Sequence, residues 1–337
     1  MKFNKLFLLF AMLFFVGLSF FNHLKATEKF EPNIHAWIIG NYTWDSTKDL
    51  IPNAGFNINH GRIIMDGNVT ERLGYHIMTE MVGAKDSKPM LMQAWISYKI
   101  NSLLGFRLGQ FKYPFGAEAY PGLIAWKFAN PSYVTDGIVK TLGKEGSAFR
   151  DIGLEAAGEY AFSKTLTGVY KMMLFNGNGV NARENNNVKD YVLYAGLKLP
   201  MNITVAGTFY SGKSGVEPAE VEESAMAAIF QIKQKRFTAQ AEYITATYKS
   251  KEAANTEPAG FYAYGTYMIT PAIEVGARYD VYENDKNRDQ IEKSKTTLLA
   301  GYWFNPQSRL FLNYELRNDD ANDALGNLLI VQLQVAF

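Results

Sequence analysis

Cysteine is absent from the 337 residues, which excludes disulfide scaffolds, thiolate metal sites and a lipid-modified cysteine anchor. Histidine is scarce, and His23, His35, His60 and His76 leave little room for a His-rich metal centre. An excess of one charge sign is missing too. Lys and Arg number 34 against 33 Asp and Glu, so the strongly basic surface that nucleic-acid binding needs is excluded. With 20% charged and 47% hydrophobic residues, disorder is excluded for most of the chain. The length would allow two or three domains, although a β-barrel carries as many residues in one.

Long apolar runs are missing everywhere except at the start. Lys2 and Lys5 precede Leu6–Phe21, interrupted only by Gly17 and Ser19, and Ala26 offers a small residue before Thr27. This pattern predicts a signal peptide over 1–26 and an exported single domain over 27–337, with an uncleaved anchor as the alternative. Cleavage would remove Lys2, Lys5 and Lys25, and 34 less these three leaves 31 basic against 33 acidic residues. Beyond Ala26 no stretch of about 18 apolar residues could form a spanning helix. An exported chain with 20 Tyr and 23 Phe is then a secreted β-rich protein or an outer-membrane barrel.

What is present is a period of two. Leu310, Leu312, Tyr314 and Leu316 alternate with Arg309, Asn313, Glu315 and Arg317. Ile273, Val275, Ala277, Tyr279 and Val281 oppose Glu274, Arg278 and Asp280, and Leu329–Phe337 alternates with Gln332 and Gln334. Strict alternation puts apolar side chains on one face of a strand and charges on the other. Parity alone does not separate a sandwich from a barrel, but connection lengths do. The short connections 101–103, 163–164, 200–201, 270–271 and 305–307 alternate with long polar ones at 45–54, 114–149, 177–189, 211–222, 249–259, 283–294 and 318–326, and 85–89 is the one short member of the second set. Short turns at one end and long loops at the other predict an all-β transmembrane antiparallel barrel of about sixteen strands. Trp37, Trp44, Trp95, Trp126, Trp303 and the many Tyr are expected in its interfacial girdles.

Residues 106–118, Phe-Arg-Leu-Gly-Gln-Phe-Lys-Tyr-Pro-Phe-Gly-Ala-Glu, resemble the hallmark of the phosphate-selective porin O and P family. Gly55–Gly67 with Arg62, and Arg150-Asp151-Ile152-Gly153, resemble it as well. The resemblance is firm over 104–121 and loose over the remaining mature chain. It implies a bacterial outer-membrane porin, usually a homotrimer, whose third extracellular loop folds inward to narrow the pore. Here that constriction loop would be 114–149. The resemblance also implies that the last strand, closed by Phe337, is recognised by the barrel assembly machinery. The expected function is passive diffusion of small hydrophilic solutes, with a possible preference for anions such as phosphate. Outer-membrane lipid would surround the barrel, and neither cofactor nor metal is expected.

The candidate pore-lining and selectivity residues are Lys99, Arg107, Lys112, Lys127, Lys140, Lys144, Lys171, Arg278, Arg309 and Arg317. Acids share the same strands: Glu80, Asp151, Glu155, Glu159, Glu242, Glu274, Asp280 and Glu315. Selectivity therefore depends on which charges ring the narrowest section. Arg107 and Lys112 have opposite parity, so either Gly109 carries a bulge or Lys112 belongs to the loop. Gly207–Ser214 matches a phosphate-binding loop by letters, but its Gly207–Tyr210 part continues an alternating strand, and Gly215-Val-Glu-Pro218 leaves no room for a helix. Asp285-x-Asn287-x-Asp289 begins like a calcium loop, then has Gln290 where Gly is needed. Two further readings stay open. A barrel enzyme of phospholipase or protease type would use His60 or His76 as a base, and an adhesive barrel would bind through its long loops.

Overall fold

In a computed structural model, the described residues are 31–82, 89–143, 148–216, 219–287 and 292–337. The expected signal peptide, Lys144 and part of the calcium-like segment lie outside them. Sixteen strands form one closed antiparallel barrel in which each pairs with its neighbours in sequence. They are β1 (Asn33–Asp45), β2 (Ala54–Asn68), β3 (Leu73–Val82), β4 (Met90–Lys99), β5 (Gly105–Lys112), β6 (Arg150–Ala161), β7 (Thr167–Phe175) and β8 (Asp190–Leu199). The second half comprises β9 (Ile203–Ser214), β10 (Val221–Lys233), β11 (Phe237–Ser250), β12 (Ala259–Met268), β13 (Ile273–Glu283), β14 (Glu292–Asn305), β15 (Ser308–Asp319) and β16 (Leu328–Ala336). β1 and β16 close the cylinder, with Trp37 opposite Ala336 and paired backbone bonds between Ala36 and Phe337. Closure removes every free sheet edge, which a bilayer demands of a strand protein.

Burial is inverted relative to a water-soluble fold. Arg278, Arg309, Asn313 and Glu315 are buried, whereas Leu310, Leu312, Leu316 and Leu333 are exposed. The alternating polar face is therefore the inside of the cylinder, and the apolar face is the outside.

Five of the short turns share one device. Thr70, Asn101, Ser163, Thr270 and Asn305 each accept, through a side-chain oxygen, the backbone N–H groups two and three residues on. Each side chain thus replaces the hydrogen bonds that the backbone loses on reversing direction. These five turns follow β2, β4, β6, β12 and β14, all at one end.

Two expectations need correction. β9 runs through Ser214, so the connection placed at 211–222 is shorter and all of Gly207–Ser214 is strand. The tryptophan girdle also fails for four of five residues. Trp37 lies buried beside Arg62, Trp95 stacks on His76, and Trp126 and Trp303 bond Glu118 and Glu274. Only Trp44 stands exposed, and Tyr160, Phe162, Tyr302 and Phe304 occupy the outer surface instead. Parity decides this for Trp37, Trp95 and Trp303, which fall on the polar faces of β1, β4 and β14, while Trp126 belongs to the loop after β5.

Candidate functional site

The connection between β5 and β6 binds its backbone to strands on the far side of the barrel. The N–H groups of Ala117 and Glu118 donate to Glu242 on β11, that of Ala129 to Asn313 on β15, and that of Tyr133 to Asp280 on β13. Gly143 N–H reaches Glu223 on β10 at 2.8 Å. Irregular chain leaves its N–H groups without partners, and carboxylates on the polar face supply them. Apolar packing adds to this: Phe115, Val134, Ile138, Val139 and Leu142 are fully buried against Phe175, Tyr210, Ile244 and Tyr262 of the wall. The loop contains two short helical turns, Leu123–Ala125 and Thr135–Val139.

Basic side chains finish the attachment. Arg278, fully buried, donates to Asp280, Glu118, Asn130 O and Pro131 O, each at 3.0 Å, and lies over Phe128. Arg309 donates to the carbonyls of Lys127 and Trp126 between the rings of Trp303 and Phe311. Lys127 pairs with Glu274 at 2.6 Å. These residues hold the loop against the wall.

The remaining candidates separate into distinct places. Arg107 donates to Glu155 at 2.8 Å and to the Tyr120 hydroxyl at 3.4 Å, between the rings of Trp95 and Phe111. Lys171 sits 3.9 Å from the centre of the Tyr120 ring and 5.5 Å from that of Tyr194. Lys112 donates to Ala119 O and Pro121 O, on either side of the same tyrosine. Three cations that sequence reasoning treated separately thus converge on Tyr120. Lys99 lies exposed at the short-turn end of β4. Lys140 pairs with Asp136, four residues before it. Arg317 binds Asp45, Thr47 and the carbonyl of Gly326 beside the β1–β16 closure.

The parity conflict between Arg107 and Lys112 is resolved without a bulge. β5 pairs with β6 through Lys112 with no register shift, while Gly109 takes φ +136°. That backbone conformation is open to glycine and strained for other residues. Tyr120 itself carried no usable signal, because periodicity identifies strand faces and says nothing of an irregular loop. Arg62 and Arg150, noted only as parts of the family-like segments, prove buried, on β2 and β6.

Residues 185–337 match the sequence model of the family described as phosphate-selective porin O and P. This match covers a part of the chain separate from the 104–121 segment that first suggested the family. The fold is similar to the anion-selective porin of Comamonas acidovorans, at a TM-score of 0.70 and 11% identity over 91% of this chain and 99% of that one. It is also similar to the trimer form of OmpT of Vibrio cholerae, at 0.67 and 13% over 91% and 99%. The outer membrane channel DcaP of Acinetobacter baumannii follows at 0.60 and 12%, over 93% and 100%. No curated protein matches the sequence.

Proposed function

We propose that the protein is an outer-membrane porin that lets small hydrophilic solutes diffuse through its lumen, with a preference for anions. The loop after β5 acts as its constriction. One observation carries the anion preference. Every acid expected inside the barrel already has a hydrogen-bonding partner: Glu80 holds Arg62, Glu155 holds Arg107, Glu159 holds Lys198 and Glu274 holds Lys127. Glu242 and Asp280 accept loop N–H groups, Asp151 accepts Gly179 N–H, and Glu315 meets Lys295 and Asn130. Among the described residues, Lys99, Lys112, Arg150, Lys171 and Arg309 make no ion pair with a carboxylate. Asp151 and Glu242 meet no Lys or Arg either, but both are buried on backbone N–H groups. Lys171, by contrast, is half-buried and Lys99 exposed, so the charge left accessible is positive.

A homotrimer is proposed from the trimer form of the OmpT-like fold, and lipid contact from the exposed apolar belt. Recognition by the assembly machinery is proposed through Phe337, exposed at the end of the chain. A non-enzymatic role is favoured because no hydroxyl of Ser, Thr or Tyr bonds either candidate base among the described residues. His60 bonds Glu80 and His76 stacks on Trp95. The test is a planar bilayer under a potassium chloride gradient. The reversal potential should carry the sign of chloride preference, and a correctly folded protein without conductance would return the enzyme and adhesive readings.

A further inference from the structure

Tyr120 and Ile124 are anchored to distant parts of the wall. The tyrosine is held by Arg107 on β5 and Lys171 on β7, whereas the Ile124 carbonyl accepts Gln334 on β16. Four peptide steps reach about 14 Å at most, so this segment runs as a chord across the cylinder. Residues before it pack toward β8–β11 and residues after it toward β13–β15, as with Ala117 against Ala206 and Ile229, and Ala129 against Asn313. The space left open is bounded by the chord on one side. On the other side it is bounded by the arc β16–β1–β2–β3–β4–β5.

The two sides of that opening differ in chemistry. The chord side, Ala119–Trp126, reads Ala-Tyr-Pro-Gly-Leu-Ile-Ala-Trp and carries no charge. Residues 120–127 are exposed or half-buried, whereas 111–119 are all buried, so this apolar stretch forms the open rim of the loop. On the arc Arg107 lies over Trp95 at 5.3 Å, both half-buried, while Arg62 over Trp37 is buried beneath the surface. His76 extends the series by stacking on Trp95. An apolar edge thus meets the accessible parts of Arg107, Trp95 and His76, with Lys171 beside Tyr120 at its end.

A fully hydrated inorganic anion finds positive charge here but nothing to match the apolar edge, and it loses hydration in passing. A solute with one carboxylate and one flat apolar face matches both sides. Its charge meets Lys171, which pairs with no carboxylate among the described residues, and its ring packs on Tyr120 and Trp95. We propose that the opening selects amphiphilic organic monoanions, of the class of aromatic carboxylates, over small inorganic anions. This rests on the anion-preferring reading above and specifies its solute.

The experiment measures permeability ratios from reversal potentials in planar bilayers, with benzoate, acetate and phosphate each opposing chloride. Benzoate should exceed acetate by roughly threefold to tenfold, the size expected of one aromatic contact, although acetate diffuses faster in bulk water. Tyr120→Ser combined with Leu123→Ser should remove that ratio, and Tyr120→Phe should keep it. Heat-modified gel migration confirms folding of each variant. Phosphate or acetate matching benzoate in the unmodified protein, or an unchanged ratio in the double variant, would overturn the inference. A preference for potassium over chloride would instead overturn the anion reading on which it rests.

Discussion

Lys127 and Glu274 meet at 2.6 Å across 147 residues of chain, and Glu274 also accepts the indole N–H of Trp303. The pair fastens the middle of the long loop to β13 at a point where the loop backbone is already bound to Arg309. A loop held by its neighbours' charges at this many points is part of the wall, and its removal should be read directly in conductance.

Deleting residues 120–140 should raise single-channel conductance, because the chord and its packing are lost while all sixteen strands stay intact. Lys127→Ala alone should change it little, since Arg278 and Arg309 still hold the segment. Unchanged conductance in a folded deletion variant would contradict the constriction role.

Arg107→Gln should shift the reversal potential toward cations, because Glu155 would lose the guanidinium at 2.8 Å and become an uncompensated negative charge. Lys213→Gln is the control: this lysine is occupied by Glu220 and Glu222, away from the chord. Surface charge there is screened over about 8 Å at physiological salt. Equal shifts in the two variants would remove Arg107 from the narrow section.

Arg278→Met should be the most damaging single substitution for stability. It strands Glu118 and Asp280, both buried, for a cost of about 3–5 kcal/mol by analogy with broken buried ion pairs. Lys140→Met removes an exposed pair and should cost at most about 0.5 kcal/mol. Thermal unfolding in detergent, followed by circular dichroism, compares the two.

Gly109→Ala should destabilise the barrel and disturb Arg107 at once. A β-carbon there would lie 2.2 Å from the carbonyl oxygen of Ala94 and 2.7 Å from the Cα of Trp95, with φ at +136°. Gly207→Ala, whose nearest neighbour is 3.7 Å away, should be tolerated. Matching unfolding temperatures would show that β4 and β5 can separate without loss.

The sequence by itself determined the barrel, its strand count and which side chains face inward. These depend on a period of two and on where the turns fall, and both are local properties of strands. Leu310–Leu316 against Arg309–Arg317 is sufficient to orient β15. Local pattern also located the unusual loop, through its length. The same parity turns Trp37, Trp95 and Trp303 inward, but only the fold shows Arg62, His76 and Glu274 meeting them, and Trp126 bonding Glu118 within the loop. Local pattern could not find Tyr120, which gains its role only when Arg107, Lys112 and Lys171 approach it from three directions. Only the tertiary structure decided which charges remain uncompensated. Neutralisation is a matter of distances between residues such as Glu118 and Arg278, which closure of the barrel brings to 3.0 Å.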